Sequence, residues 1–200
     1  LSYKNLYEKT ASVANKFQQL GVQKGDRIAA IMPNRPETVI AMLAASWLGA
    51  IWSSCSPDFG SDGILERFEQ IQPKLLVAVD GYQFKGKTFS ICEKVKTIKQ
   101  KLACDCILLN WQQCGAVSET IDWNELISSD ISLPFEQLAF NDPLYILFSS
   151  GTTGKPKCIV HGAGGTLLQH LKEHRLHTDI KRKDVLFYFT TCGWMMWNWL

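Results

Sequence analysis

Apolar positions recur at helical spacing near the start of the chain, where Leu6, Val13, Phe17 and Leu20 fall on one face. That stripe predicts an amphipathic helix, and Gly21 is placed to end it with a left-handed cap. The apolar run at 27–32 reads as a short buried strand. Asn34 is expected to cap the next helix, with Pro36 in its first turn and Glu37 completing a capping box. Through Ile40, Met42, Leu43 and Leu48 this helix is apolar nearly all round, which predicts burial between two layers. A second strand follows at 51–54, then a polar turn at 56–60.

The alternation continues. A helix is predicted over 61–72, stopped by Pro73, and 74–80 is the clearest strand pattern in the chain. A basic loop is expected at 81–88. It leads to a helix with Ile91, Val95, Ile98 and Leu102 inward and Lys94, Lys96, Lys99 and Lys101 on a solvated face. Residues 106–109 read as a further strand. From 110 to 142 the pattern is mixed, with a short helix near 123–127 and a connecting stretch around Pro134. Strands separated by helices of this length imply βαβ units, so the expected fold class is α/β, a mainly parallel sheet with flanking helices. One large domain over 1–200 is expected, and an incomplete one, because the chain stops inside the aromatic segment 194–200.

Composition narrows the function classes. With 46% hydrophobic residues and 20% charged, the chain has material for a real core and is not disordered. Lys and Arg number 21 against 19 Asp and Glu, so no overall field exists to grip nucleic acid or an anionic membrane, and neither partner is expected. No apolar run approaches the ~20 residues that cross a bilayer. Cysteine occurs at 55, 92, 104, 106, 114, 158 and 192, an odd set without a Cys-x-x-Cys pair. This speaks against a disulfide framework or a thiolate zinc site and makes the reducing cytosol the expected compartment.

Candidate chemistry concentrates in one stretch. The apolar run 144–148 ends in Ser149-Ser150-Gly151-Thr152-Thr153-Gly154-Lys155-Pro156-Lys157, and a strand follows at 158–160. Glycines let backbone approach a polyphosphate closely, successive N–H groups and four hydroxyls donate to its oxygens, and Lys155 and Lys157 bring positive charge. A P-loop NTPase motif is ruled out twice. Pro156 follows Lys155 where a Ser or Thr would hold magnesium, and Ser149 stands where the first Gly belongs. A plain Gly/Ser hairpin turn is the alternative, although nine such residues in this order exceed what a turn needs. One decoy is His170-Leu171-Lys172-Glu173-His174, which fits a zinc-peptidase pattern with His177 nearby. Its further carboxylate ligand could come only from Asp179 or Asp184, and no metal site is expected. His161 reads as a loop-to-helix boundary residue.

The nine-residue loop resembles the phosphate loop of adenylate-forming enzymes, the group of acyl-CoA synthetases, luciferases and peptide-synthetase adenylation domains. That group usually has Gly where this chain has Cys158. Gly25-Asp26-Arg27-Ile28 and Gly49-Ala50-Ile51 also recur in it. Stretches 51–60, 161–174 and 192–199 are similar to the branch that activates acetoacetate, and the likeness covers essentially the whole chain. It implies an internal piece of the large N-terminal domain, with the small C-terminal domain outside the chain. It further implies ATP, Mg2+ and CoA as cofactors and a cytosolic acid–thiol ligase that makes an acyl-adenylate from a small acid. Alternatives are an acetyl- or propionyl-CoA synthetase and a non-catalytic nucleotide-binding module.

By the same resemblance, Ser149, Ser150, Gly151, Thr152, Thr153, Gly154 and Lys155 would hold the β- and γ-phosphates, while Lys157 anchors the loop to an acidic partner outside the chain. Trp194 and Met195 would border the acyl group, with Met196 near the thiol's approach; four large apolar residues in a row are also what a core contains. Lys85 and Lys87 occupy the place of a loop that grips CoA phosphate, and a plain exposed turn is the other possibility. No catalytic residue is assigned within these 200. The family's adenine-stacking segment, ribose aspartate and catalytic lysine do not occur, so the piece alone is expected to be inactive.

Overall fold

Six parallel strands form most of a seven-stranded sheet in the computed structural model, which describes residues 1–127, 133–149 and 154–199. In chain order the strands are β1 (Arg27–Ile31), β2 (Ile51–Cys55), β3 (Leu75–Val79), β4 (Gly81–Phe84), β5 (Lys87–Ser90), β6 (Asp105–Leu109), β7 (Ile121–Asp122), β8 (Pro143–Ser149) and β9 (Lys157–Gly162). The sheet runs β7-β6-β3-β1-β2-β8-β9, antiparallel only at its last pair, and β4 and β5 make a separate hairpin. The helices are α1 (Tyr3–Gln19), α2 (Pro36–Trp47), α3 (Ser61–Ile71), α4 (Cys92–Leu102) and α5 (Ala163–Lys172).

The crossovers dictate the layers. The β1-to-β2 connection runs one way along the sheet, whereas β2-to-β3 jumps back over β1 and β3-to-β6 continues in that direction. Right-handed crossovers therefore put α2 on one face and α3 and α4 on the other. The packing agrees: α1 lies on α2, and α3 on α4. Central strands covered on both faces lose the alternation of a half-exposed sheet. Accordingly Ile28 to Ile31 and all of β3 are buried. Phe17, Trp52 and Phe68 are fully buried around them, each large side chain contributing about 1.5–3 kcal/mol on burial.

Helix ends follow local chemistry. Ser2 caps α1, its hydroxyl accepting from the Asn5 N–H at 3.2 Å, and Gly21 sits at φ +82° as the left-handed stop. The expected cap of α2 is corrected. The residue before a proline is held extended, so Arg35 at φ −134° is the N-cap and Pro36 the first helical residue. No side chain caps that end. Asn34 instead accepts from Trp197 Nε1 at 3.0 Å, and Glu37 takes a two-pronged ion pair from Arg35 at 2.9 and 3.2 Å.

The expected basic loop at 81–88 is also corrected, because it is a β-hairpin turning at Lys85 and Gly86. Both have positive φ, as a tight two-residue turn between twisted strands requires. Two features were not expected: the short strand β7, and the capping box in which Asp122 and Glu125 start a 3-10 turn over Trp123–Leu126. Among the described residues, no helix is long and apolar enough to cross a membrane.

Candidate functional site

In a parallel sheet every strand ends at the same edge, and ligands of open α/β sheets sit there. At this edge β1 delivers Asn34 and Arg35, β2 the turn at 56–60, β3 the root of the β4–β5 hairpin, and β8 the phosphate-loop candidate. The order β3-β1-β2-β8 puts three inter-strand spacings, about 14 Å, between the hairpin's root and the loop's.

The loop is the turn of the β8–β9 hairpin. Its ladder pairs Ile146 with Val160, Leu147 with Ile159, Phe148 with Cys158 and finally Ser149 with Lys157. β8 is fixed to the core by its Trp52↔Tyr145 register and by buried Ser53, whose hydroxyl donates to the Ile146 carbonyl at 2.8 Å. Ser149 therefore stands at the end of an anchored strand. Ser150, Gly151, Thr152 and Thr153 lie outside the described residues. Beyond them Gly154 has φ +147°, a value side chains rarely adopt, Lys155 and Lys157 are exposed, and Pro156 between them is buried.

Lys85 and Lys87 are exposed at the hairpin tip, Lys85 Nζ lying 5.3 Å from the Phe84 ring. The 56–60 turn is held from below by Lys94, whose ammonium donates to the carbonyls of Pro57 at 2.8 Å and Phe59 at 2.6 Å. Burial pushes that ammonium's pKa down.

The aromatic segment reaches the same edge through contacts no local pattern announces. The Ser54 hydroxyl donates to the Cys192 carbonyl at 2.7 Å, Gly193 lies against the backbone of Ser56, and Trp197 reaches Asn34. Residues Met195–Trp199 form a 3-10 turn. Trp194 is exposed, whereas Met195 packs on the core cluster. A cavity of about 470 Å3 adjoins this turn, lined by Asn34, His170, His174, Trp197, Asn198 and Trp199 among others; Trp194, Met195 and Met196 stand outside its wall. Asn198 is buried, and its amide has no hydrogen-bond partner among the described residues.

The histidine pattern is spent on packing. His170 Nε2 lies 3.4 Å from the Tyr145 hydroxyl, and His174 Nε2 lies 3.0 Å from the Trp199 carbonyl. Glu173 accepts from Gln169 and pairs with Lys172, and the helix widens into a π-turn over Glu173–His177. Among the described residues no three His, Cys, Asp or Glu side chains are grouped to hold a metal. His161 is the penultimate residue of β9, its ring 5.1 Å from that of Tyr145. Desolvation lowers the pKa of both His161 and His170. The cysteines are free thiols, six of them buried or half-buried and Cys158 exposed. Burial pushes Cys55, Cys106 and Cys192 up to about 12.

Sequence reasoning missed Gln70 on α3, whose amide donates to the Pro156 carbonyl at 3.0 Å, just past the loop. A lone glutamine near a helix end carries no signature of a partner 86 residues away.

Comparison with known proteins gives a consistent answer. Residues 1–199 match the family described as AMP-binding enzyme. The whole chain aligns with the acetoacetyl-coenzyme A synthetase of Rhizobium meliloti (strain 1021) at 49% identity and with the acetoacetyl-CoA synthetase of Mus musculus at 43%, covering 32% of each. Acetoacetyl-CoA synthetase from Streptomyces lividans superimposes with a TM-score of 0.97 at 40% identity, over 100% of this chain and 31% of that one. The chain thus spans about a third of the length of these relatives. It is a member of the AMP-binding enzyme family.

Proposed function

We propose that this chain supplies the phosphate-binding part of an ATP-dependent acetoacetate–CoA ligase. The observation that carries this is likeness along the full chain to acetoacetyl-CoA synthetases, including the anchored hairpin that bears the glycine- and hydroxyl-rich loop. A carboxylate is a poor electrophile because its leaving group would be oxide. In the proposed reaction the acetoacetate carboxylate attacks the α-phosphate of ATP, pyrophosphate leaves, and the CoA thiolate then displaces AMP from the acyl-adenylate. Such chemistry depends on positioning and charge neutralisation. Magnesium enters with ATP and neutralises phosphate charge; the segment 149–155 offers hydroxyls and N–H donors to the phosphates and no carboxylate for the ion.

Within this scheme Ser149, Ser150, Gly151, Thr152, Thr153, Gly154 and Lys155 hold the β- and γ-phosphates. Lys157 steadies the loop through an acidic partner elsewhere in the parent protein. Trp194 and Met195 border the acyl group and Met196 faces the incoming thiol, while Lys85 and Lys87 meet a CoA phosphate. The cytosol and ketone-body use for lipid synthesis are the setting this activity suits.

Acid-dependent ATP–pyrophosphate exchange by the full-length parent protein tests the scheme. Acetoacetate is expected to support exchange better than acetate or propionate. The reverse preference would make it an acetyl- or propionyl-CoA synthetase, and no exchange with any acid would leave a nucleotide-binding module.

A further inference from the structure

We infer that Gln70 is a positioning residue for ATP, holding the outgoing limb of the phosphate loop from α3; this rests on the proposal that the loop binds the phosphates. The last two rungs of the hairpin are Phe148↔Cys158 and Ser149↔Lys157. Pro156 lies just beyond the ladder and is buried, so its carbonyl needs a partner that the sheet does not supply. Gln70 provides it, with Nε2 donating to Pro156 O at 3.0 Å. The other end of the same amide, Oε1, accepts from the Cys158 thiol at 3.6 Å. Nε2 also donates to the Glu66 carbonyl at 2.6 Å, which fixes the amide against its own helix.

Arg67 lies one turn earlier on the same face of α3, since residues three apart on a helix are neighbours. Its guanidinium stands 6.0 Å from the Phe148 ring and 5.1 Å from the Phe59 ring. One helix face therefore touches both members of the Phe148↔Cys158 rung. β9 is an edge strand, exposed from Lys157 to Val160, and the sheet holds it from one side only. Gln70 supplies the second attachment at the end nearest the loop. The constraint passes along the chain. Pro156 directly follows Lys155, the last residue of the phosphate-binding set, so holding the Pro156 carbonyl fixes the point at which the loop joins β9. Displacement of about 1 Å at such a position is enough to weaken a bound geometry.

The test measures pyrophosphate exchange, for the KM of ATP and of the acid, and thioester synthesis, for the KM of CoA, by the full-length protein carrying Gln70→Met, which keeps length but removes all three polar contacts. Apparent KM for ATP is expected to rise about fivefold, the worth of one neutral hydrogen bond, with the KM for the acid and for CoA unchanged. Gln70→Glu, which replaces the donor by a carboxylate facing the Pro156 carbonyl, should raise it at least as far. Cys158→Ala removes the thiol contact while keeping the backbone restraint of a side chain and should raise it about twofold, which keeps the question open to measurement if a Gln70 variant folds poorly. Lys155→Ala is the control for the loop itself. If Lys155→Ala raises the KM for ATP and none of the other variants does, Gln70 has no positioning role although the loop binds ATP. If Lys155→Ala leaves the KM for ATP unchanged, the phosphate-loop proposal fails and this inference with it. A fall in thermal midpoint alone, or an equal rise in all three KM values, makes Gln70 a merely structural residue and overturns the inference.

Discussion

Asp80 shows how one side chain can set the geometry of two neighbouring segments. It is fully buried at the end of β3, where its Oδ1 accepts from the N–H groups of Trp111 and Gln112 at 2.9 and 3.0 Å and its Oδ2 from Cys114 at 2.7 Å. Its carbonyl accepts from Ile91 N–H at 2.8 Å, just past β5. A buried carboxylate is costly unless charge-assisted bonds replace its water, and three backbone donors do so here. Asp80→Ala should leave three half-buried donors to find water instead of a carboxylate and destabilise the fold by about 1–3 kcal/mol in all, since the penalty for an orphaned group falls where water can reach it. Asp80→Asn keeps part of the acceptor set and should cost less. Denaturant unfolding of the full-length protein measures both, and equal stability of Asp80→Ala and the unmodified chain would refute this account. The sequence marks Asp80 only as the end of an apolar run, because its partners lie 31 to 34 residues later.

Among the elements, those with a period of their own were legible. The stripe of α1, its Gly21 stop and the apolar runs of β1, β2, β3, β6 and β8 all stand where the pattern predicts. On the expected solvated lysine face of α4, by contrast, only Lys96 and Lys101 are exposed: Lys94 is half-buried beneath the 56–60 turn and Lys99 donates to the carbonyls of Ser118 and Glu119. The misreadings fall where two local rules compete. At 34–37, Asn and Glu spacing suggests a capping box, yet the backbone restriction before Pro36 moves the cap to Arg35 and frees Asn34 to receive Trp197. At 81–88, lysines and a glycine look like a loop, but Tyr82 stacks on Phe89 at 5.4 Å and the Lys85-Gly86 turn closes a hairpin. A hairpin tip is a firmer platform for charge than a loop, which sharpens the test of its lysines. Lys85→Ala with Lys87→Ala is expected to raise the CoA requirement of full-length thioester synthesis several-fold while leaving acid-dependent pyrophosphate exchange unchanged, since exchange does not involve CoA. An unaltered KM for CoA would remove these residues from the CoA site.

Across the whole molecule, topology brings the phosphate-loop hairpin, the lysine-tipped hairpin and the aromatic segment to one edge of one sheet, a convergence no single stretch of sequence contains. The unit made of β8, β9 and α5 carries the loop, and its internal packing has a pH dependence that can be worked out. His161 lies against Tyr145 from β9, and His170 approaches the Tyr145 hydroxyl from α5, with His174 one turn further along. Desolvation lowers the pKa of both His161 and His170, and neighbouring imidazoles add to the effect at His170. Between those lowered values and the ordinary value of about 6.5, the unfolded chain binds protons that the folded chain does not. Stability is therefore complete above about pH 6.5 and is lost as the pH falls from there through the folded-state values. The thermal midpoint of the full-length protein should decline on acidification across this window, and His161→Gln with His170→Gln should flatten the decline. An identical pH slope in the double variant would show that these two imidazoles do not govern the acid sensitivity of the loop-bearing unit.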